Sequence, residues 1–335
     1  MGRCATVLRP TRHWSIWCKQ RRANHRHLAT TDVPVTLGRR ALLLAGASAL
    51  ACSRSERASG GLPFPSSPNV SILEWDLGPQ PWGPGRAVVI VPAWAPPDAR
   101  FPVVVALHGR GEAMKSPIEG AMGWPRDYAL VRAFDRLHAP PLRESDYEGL
   151  VEPARLIETN DALKKHPFGG VIVACPWLPD VRPAGTGDIT PYTRFLLSSL
   201  IPRVRRDTPA LAAPESTGID GVSLGGVLAL RIGLGSPDTF GAVGGIQPAL
   251  GDEPTSEWSA VALAARARRP GLRLRLVTSQ FDYFRDPVIA LSRAWNASGI
   301  AHDFADLPGP HDYIFNRGPG SIELLLWHDH VLARS

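Results

Sequence analysis

Cysteine is almost missing from the part of this chain that could fold. Cys4, Cys18 and Cys52 fall within the first 52 of 335 positions, which leaves Cys175 alone in the remainder. No internal disulfide can staple the body. Cys175 ends the apolar run 170–175 and reads as a small buried hydrophobe rather than a nucleophile. A basic surplus is missing from the same region. The formal charge is +6, but residues 1–51 hold nine Lys and Arg against one acidic residue, while 52–335 hold 28 against 30. A body of net charge −2 gives no electrostatic reason to expect nucleic acid as a partner. The apolar run after Arg40 stops at Ala51 and is too short to cross a bilayer. No internal repeat and no pattern of a second folded domain is present. With 44% hydrophobic and 20% charged residues, the composition is neither disordered nor fibrous and suits one large globular domain.

The charge asymmetry isolates a leader. Residues before 33 are rich in Arg, His and Trp and carry no fold pattern. Gly38-Arg39-Arg40 then precedes Ala41-Leu42-Leu43-Leu44 and the apolar run to Ala51. That is the charged-then-apolar order of an export signal, and twin arginines resemble a Tat signal. Small residues before Cys52 (Ser48-Ala49-Leu50-Ala51) resemble a lipobox, with Cys52 as the acylated residue after cleavage. The expected organisation is a twin-arginine leader over 1–51, a Ser/Gly/Pro-rich tether over 52–68 and one folded domain over 69–335. Export to the periplasm or cell envelope, with possible membrane anchoring through Cys52 lipid, follows from that pattern.

The body is organised around Thr217-Gly218-Ile219-Asp220-Gly221-Val222-Ser223-Leu224-Gly225-Gly226. It reads G-x-S-x-G between a short strand pattern and the helix pattern Val227–Ile232. In a chain this rich in Gly the motif arises by chance in about one such sequence in five, so its context must carry it. Strand, sharp turn and helix is the context in which the Ser is a nucleophile held on an exposed elbow. The helix N-terminus beside it favours developing negative charge.

Eight strand patterns fall at 70–77, 86–91, 102–107, 170–175, 217–222, 241–246, 272–278 and 301–307. The first two flank a Gly/Pro-rich hairpin-type loop over 78–85. From the third onward helical patterns intervene, at 126–138, 191–206, 225–234, 256–268, 285–298 and 319–333. Short apolar runs alternating with helices predict an eight-stranded, mostly parallel sheet with helices on both faces.

Chemistry-bearing residues recur where these strands end. After the third comes Leu107-His108-Gly109-Arg110-Gly111, able to present the Arg110 backbone N–H. Leu224 supplies a second N–H from the elbow, and two converging donors make an oxyanion hole. After the seventh comes Ser279-Gln280-Phe281-Asp282-Tyr283-Phe284-Arg285-Asp286. Asp282 is the carboxylate expected to orient a histidine. Asp286, in reserve, reads as the cap of a helix opening at Pro287. After the eighth comes Gly309-Pro310-His311-Asp312-Tyr313. The order Ser223, Asp282, His311 is that of the α/β-hydrolase triad.

Three stretches carry a resemblance: Gly221–Gly226, Ser236-Pro237-Asp238-Thr239-Phe240-Gly241-Ala242-Val243, and Gly309–Tyr313. Tyr192–Leu196 with Leu200-Ile201-Pro202 adds a fourth. Over about 70–320 the chain resembles the α/β-hydrolase superfamily, in its putative-esterase branch of esterase D-like, enterochelin esterase-like and antigen 85-like proteins. The resemblance implies a serine carboxylesterase. Its substrate would be a small-molecule or polymer-linked ester, and the chemistry requires neither cofactor nor metal. It leaves open acyl transfer to an alcohol, amide cleavage, or a binding lipoprotein on a retired hydrolase scaffold. His328-Asp329-His330 invites a metal, but side chains two apart on a helix diverge. The segments 112–169, 177–190 and 247–258 carry Trp124, Tyr128, Trp177 and Trp258, expected to pack loops onto the body more than to line a pocket.

Overall fold

A computed structural model describes residues 65–180, 188–251 and 253–334. The twin arginines, Cys52 and most of the tether lie outside the described residues.

Short runs buried at successive positions make the central strands, whose side chains alternate between two faces, and both faces need cover. β1 (Val70–Gln80), β2 (Gly83–Pro92), β3 (Val103–Leu107), β4 (Ile172–Pro176), β5 (Thr217–Gly221), β6 (Ala242–Ile246), β7 (Arg273–Phe281) and β8 (Asp303–Pro310) form one sheet. The order is β1-β2-β4-β3-β5-β6-β7-β8. β2 is antiparallel to β1 and β4, and every later pairing is parallel. All eight expected strands are present, and the fold is that of an α/β-hydrolase. The expected loop over 78–85 is tighter than its composition suggests. Gln80 pairs with Gly83, so the hairpin turns on Pro81 and Trp82, and a bulge between Asp76 and Pro79 absorbs the extra Gly and Pro.

Alternation divides the core. Val103, Val105 and Leu107 point to one face and Val104 and Ala106 to the other. The first face is covered by α5 (Thr190–Phe195), α6 (Ile201–Asp207), α7 (Leu224–Gly235), α8 (Thr255–Arg268) and α9 (Arg285–Ala297). The second is covered by α3 (Leu130–His138), α4 (Pro153–Lys165) and α11 (Ser321–Val331). Ten of the twelve residues of α7 are buried, which explains why that helix is apolar except at Arg231. The expected continuous helix over 191–206 is interrupted by a wide turn at Leu196–Leu200. Pro202, at the start of α6, has no N–H to return to the preceding turn. Three further helices were not legible: α1 (Arg110–Ala113), α2 (Pro117–Ala121) and α4 lie in the segment 112–169 or at its edge. A one-turn α10 (Tyr313–Phe315) follows β8. Cys175 is buried and unpaired, and burial raises its thiol pKa far above the usual value. No described helix is long and apolar enough to cross a membrane.

Candidate active site

Successive strands after β3 run first to one side, as β4, and then to the other, as β5. At such a switch point the loops leaving adjacent strands part and open a crevice beyond their C-terminal ends. The Ser223 elbow leaves β5 and the His108–Gly111 loop leaves β3. Two groups of the sequence motif are therefore neighbours because of strand order.

The elbow is tight. Ser223 has φ 57° and ψ −116°, a region costly for a residue with a Cβ and held only when its surroundings over-determine it. Those surroundings are backbone hydrogen bonds. Ser223 N–H donates to Ile246 O at 3.0 Å, and Ala249 N–H donates to Ser223 O at 3.0 Å. Gly225 is required by a close approach: a Cβ there would run into the carbonyl oxygens of Leu107 and His108. The elbow thus rests directly on the β3 loop. A Cβ at Gly109 would stand 3.7 Å from Ser223 Cβ. Leu224 and Arg110 are the first residues of α7 and α1, so their N–H groups have no intrahelical acceptor. The Arg110 side chain turns away and pairs with Asp180 at 3.0 Å.

Asp282 and His311 meet across β7 and β8. His311 Nδ1 lies 2.6 Å from Asp282 Oδ1. The same oxygen accepts Phe284 N–H at 3.0 Å, and Oδ2 accepts the Thr278 hydroxyl at 2.9 Å. A carboxylate facing three donors is fixed in orientation. The proton on His311 is then on Nδ1, which leaves Nε2 as the basic nitrogen. Asp286 does not share this position. The cap of α9 is Phe284, and Asp286 lies inside the first turn, so the helix opens two residues before the Asp-Pro signal. There the carboxylate complements the helix dipole instead of capping.

Residues that the motifs did not single out join these parts. Gln247 follows β6, is fully buried and has φ 44°. Its Nε2 donates to Ser279 Oγ at 2.6 Å and to Pro310 O at 3.0 Å. Its backbone N–H donates to Val277 O at 2.6 Å. One side chain thus ties the residue before His311 to the end of β7, beside the Ile246 carbonyl that holds Ser223. The available signal was a polar residue at a strand end before Pro248.

Glu112 is the second such residue. It is buried and accepts hydrogen bonds from the Tyr128 and Tyr313 hydroxyls, with Tyr313 Oη at 2.5 Å. Tyr128 Oη in turn accepts Gly109 N–H at 3.1 Å. Burial first, and the Glu112 charge second, raise the Tyr128 pKa well above its usual value, so it stays a donor. This cluster fastens the β3 loop to the segment after His311. His108 fastens it to β4. Its Nε2 accepts Leu178 N–H at 2.9 Å, so the proton is on Nδ1, facing Gly109 O at 2.9 Å. Burial lowers its pKa and keeps it neutral.

Trp124, Tyr128 and Trp258 are buried and Trp177 is half-buried, the packing role expected of them. His328 is buried against Asp220 at 3.2 Å, while His330 is exposed, so the two diverge. Among the described residues no group of three or more His, Cys, Asp and Glu side chains is placed to hold a metal ion.

Residues 175–281 match the family described as putative esterase. No curated protein matches the chain. Among solved structures, a ferulic acid esterase superposes with a TM-score of 0.58 at 15% identity, over 80% of this chain and 100% of its own. An S-formylglutathione hydrolase from Staphylococcus aureus gives 0.53 at 14%, over 81% and 100%. A fluorophosphonate-binding serine hydrolase from the same organism gives 0.54 at 13%, over 78% and 99%. At such identities the likeness is one of fold.

Proposed function

We propose that this chain, whose residues 175–281 match the putative-esterase family, is an exported serine hydrolase that cleaves carboxylic esters through an acyl-enzyme. The observation that carries the reading is the Asp282–His311 pair at 2.6 Å, at the strand ends that also hold the strained Ser223. In this reading Ser223 Oγ attacks the acyl carbonyl, and His311 Nε2 takes its proton and passes it to the leaving alcohol. Asp282 holds the Nδ1–H tautomer and stabilises the imidazolium. The N–H groups of Arg110 and Leu224 bind the oxyanion, each worth about 3 kcal/mol in the transition state. Water then releases the acid by the reverse proton route. Export rests on the Arg39-Arg40 leader, and Cys52 is the proposed lipid attachment point.

The test is turnover of p-nitrophenyl esters of short and medium chain, with fluorophosphonate labelling alongside. Labelled, active protein is the expected result. Neither labelling nor turnover would remove the hydrolase reading in favour of a binding protein. Product analysis with added alcohol separates hydrolysis from acyl transfer. Cell fractionation with Arg39 and Arg40 changed to Lys reads the export part.

Gln247 gives a finer expectation. Gln247→Leu frees Pro310 O and Ser279, so His311 is held less well while Oγ and the oxyanion donors stay in place. The expected result is a kcat lower by about tenfold or more, with KM within twofold. An equal rise in KM would assign Gln247 to substrate binding instead.

A further inference from the structure

Phe281 and Tyr283 are 72% and 74% exposed, the two most exposed of the large hydrophobic side chains among the described residues. Burying such a ring is favourable, and a single exposed one is ordinary. These two stand on either side of Asp282. Phe281 lies opposite Pro310 in the β7–β8 register, one residue before His311. The Tyr283 ring lies 5.6 Å from the His311 ring, at 41°. Phe284, 5.5 Å from the same imidazole, is half-buried and supports it from within. The exposed rings therefore border the general acid rather than some remote surface.

Their place identifies what would lie on them, given the hydrolase reading above, on which this inference rests. In acylation the bond from Ser223 Oγ to the carbonyl carbon forms and the bond from that carbon to the alcohol oxygen breaks. The proton on His311 Nε2 goes to the departing oxygen. That oxygen must come within hydrogen-bond reach of Nε2, so the alcohol's substituent lies over the surface around His311. We infer that Tyr283 and Phe281 form a shelf that binds the leaving alcohol of the ester and favours alcohols that carry a ring, the flat face of an aryl group or the apolar C–H face of a pyranose, which packs on theirs. Once the alcohol departs the shelf is empty, and water attacks the acyl-enzyme without it. The shelf therefore acts on acylation and not on deacylation.

The test fixes the acyl group at the one turned over fastest and varies the alcohol: ethyl, phenyl and the 6-hydroxyl of methyl glucopyranoside. Both side chains are exposed, so Tyr283→Ala and Phe281→Ala are expected to keep the wild-type melting temperature. In Tyr283→Ala, kcat/KM is expected to fall about tenfold for the ring-bearing esters and to stay within twofold for the ethyl ester. The deacylation rate, read from the phase after the p-nitrophenol burst, is expected not to change, and Tyr283→Phe to match wild type. Loss on one ring-bearing ester alone supports the shelf and names the ring it takes. Equal loss on the ethyl ester, or slower deacylation, would overturn it by showing that Tyr283 acts through His311. No loss on any ester would overturn it outright. Failure of the hydrolase reading is distinct: the wild type itself would neither turn over an ester nor take the fluorophosphonate label.

Discussion

Ser223→Ala is expected to lower kcat/KM for an accepted ester by about 10^5-fold or more while the protein stays folded. In the proposed mechanism the removed atom is the attacking oxygen, and His311 and Asp282 have no role in attack without it. Residual turnover would come from the oxyanion donors and bound water. Ser223 also allows an opposite reading on stability. At φ 57° and ψ −116° its Cβ carries strain that glycine would not. Ser223→Gly should therefore be as inactive as Ser223→Ala yet more stable than wild type by about 1 kcal/mol, read as a higher melting temperature. Activity within tenfold of wild type in Ser223→Ala would mean that the nucleophile is elsewhere. A Ser223→Gly protein less stable than wild type would mean that the elbow is not strained.

The second large effect lies beneath the elbow. Asp220, in β5, is buried with Arg275 of β7 and His328 of α11. Its Oδ2 accepts Arg275 Nη2 at 2.7 Å and His328 Nε2 at 3.2 Å, and its Oδ1 accepts Gly221 N–H at 2.7 Å. Arg275 also donates to Glu323 O at 2.7 Å and lies 4.6 Å from the Trp327 ring centre. Asp220→Leu removes the close counter-charge of a buried guanidinium and the partner of a buried imidazole. Breaking such a pair costs about 3–5 kcal/mol, to be read by denaturant unfolding. Joining Arg275→Met to it should restore part of the loss, because two apolar groups leave no charge unpaired. A double variant no better than the single one would assign the loss to packing.

The same groups set an acid limit. Burial lowers the pKa of His328, against the opposing pull of Asp220, and burial likewise lowers that of His108. Both are neutral in the fold, whereas in the unfolded chain they take up protons near 6.5. Below about pH 6.5 the unfolded state binds more protons, so stability falls as pH falls. Burial works against the Asp220 anion, but Arg275 and His328 outweigh it and hold its pKa below the usual value. Its contribution is whole above that value and is lost as pH drops through the folded pKa. The two declines share a sign, and alkaline solution up to the thiol and lysine range should bring no matching loss.

How far the chain can be read without its fold differs from part to part. The strand at 217–221 and the helix at 224–235 were legible because both local signals agree: a short strand pattern ends at Gly221, and Gly225 and Gly226 admit the close turn. The order Ser223, Asp282, His311 at three strand ends was legible for the same reason, since strand ends are read from where apolar periodicity stops. The rest of the segment 112–169, outside the helix expected at 126–138, was not. Glu112 stands in a turn with no apolar period, and its burial comes from Tyr128 and Tyr313, 16 and 201 residues away. Gln247 was missed because its value lies in Ser279 and Pro310, 32 and 63 residues on. Asp286 drew attention through a local cap signal that the fold overrides, because Asp282 and the Ser279 turn start the helix two residues earlier.

The sequence by itself determined the strands, most of the helices that cover them, the elbow and the residue types at the strand ends, since each depends on periodicity or on the volume of a side chain at a turn. Only the tertiary structure decided which strand ends are neighbours, which carboxylate reaches His311, and that two aromatic rings beside it face solvent. Those are contacts between residues far apart in the chain. They depend on strand order and on which face of the sheet is already filled, and no local pattern records either.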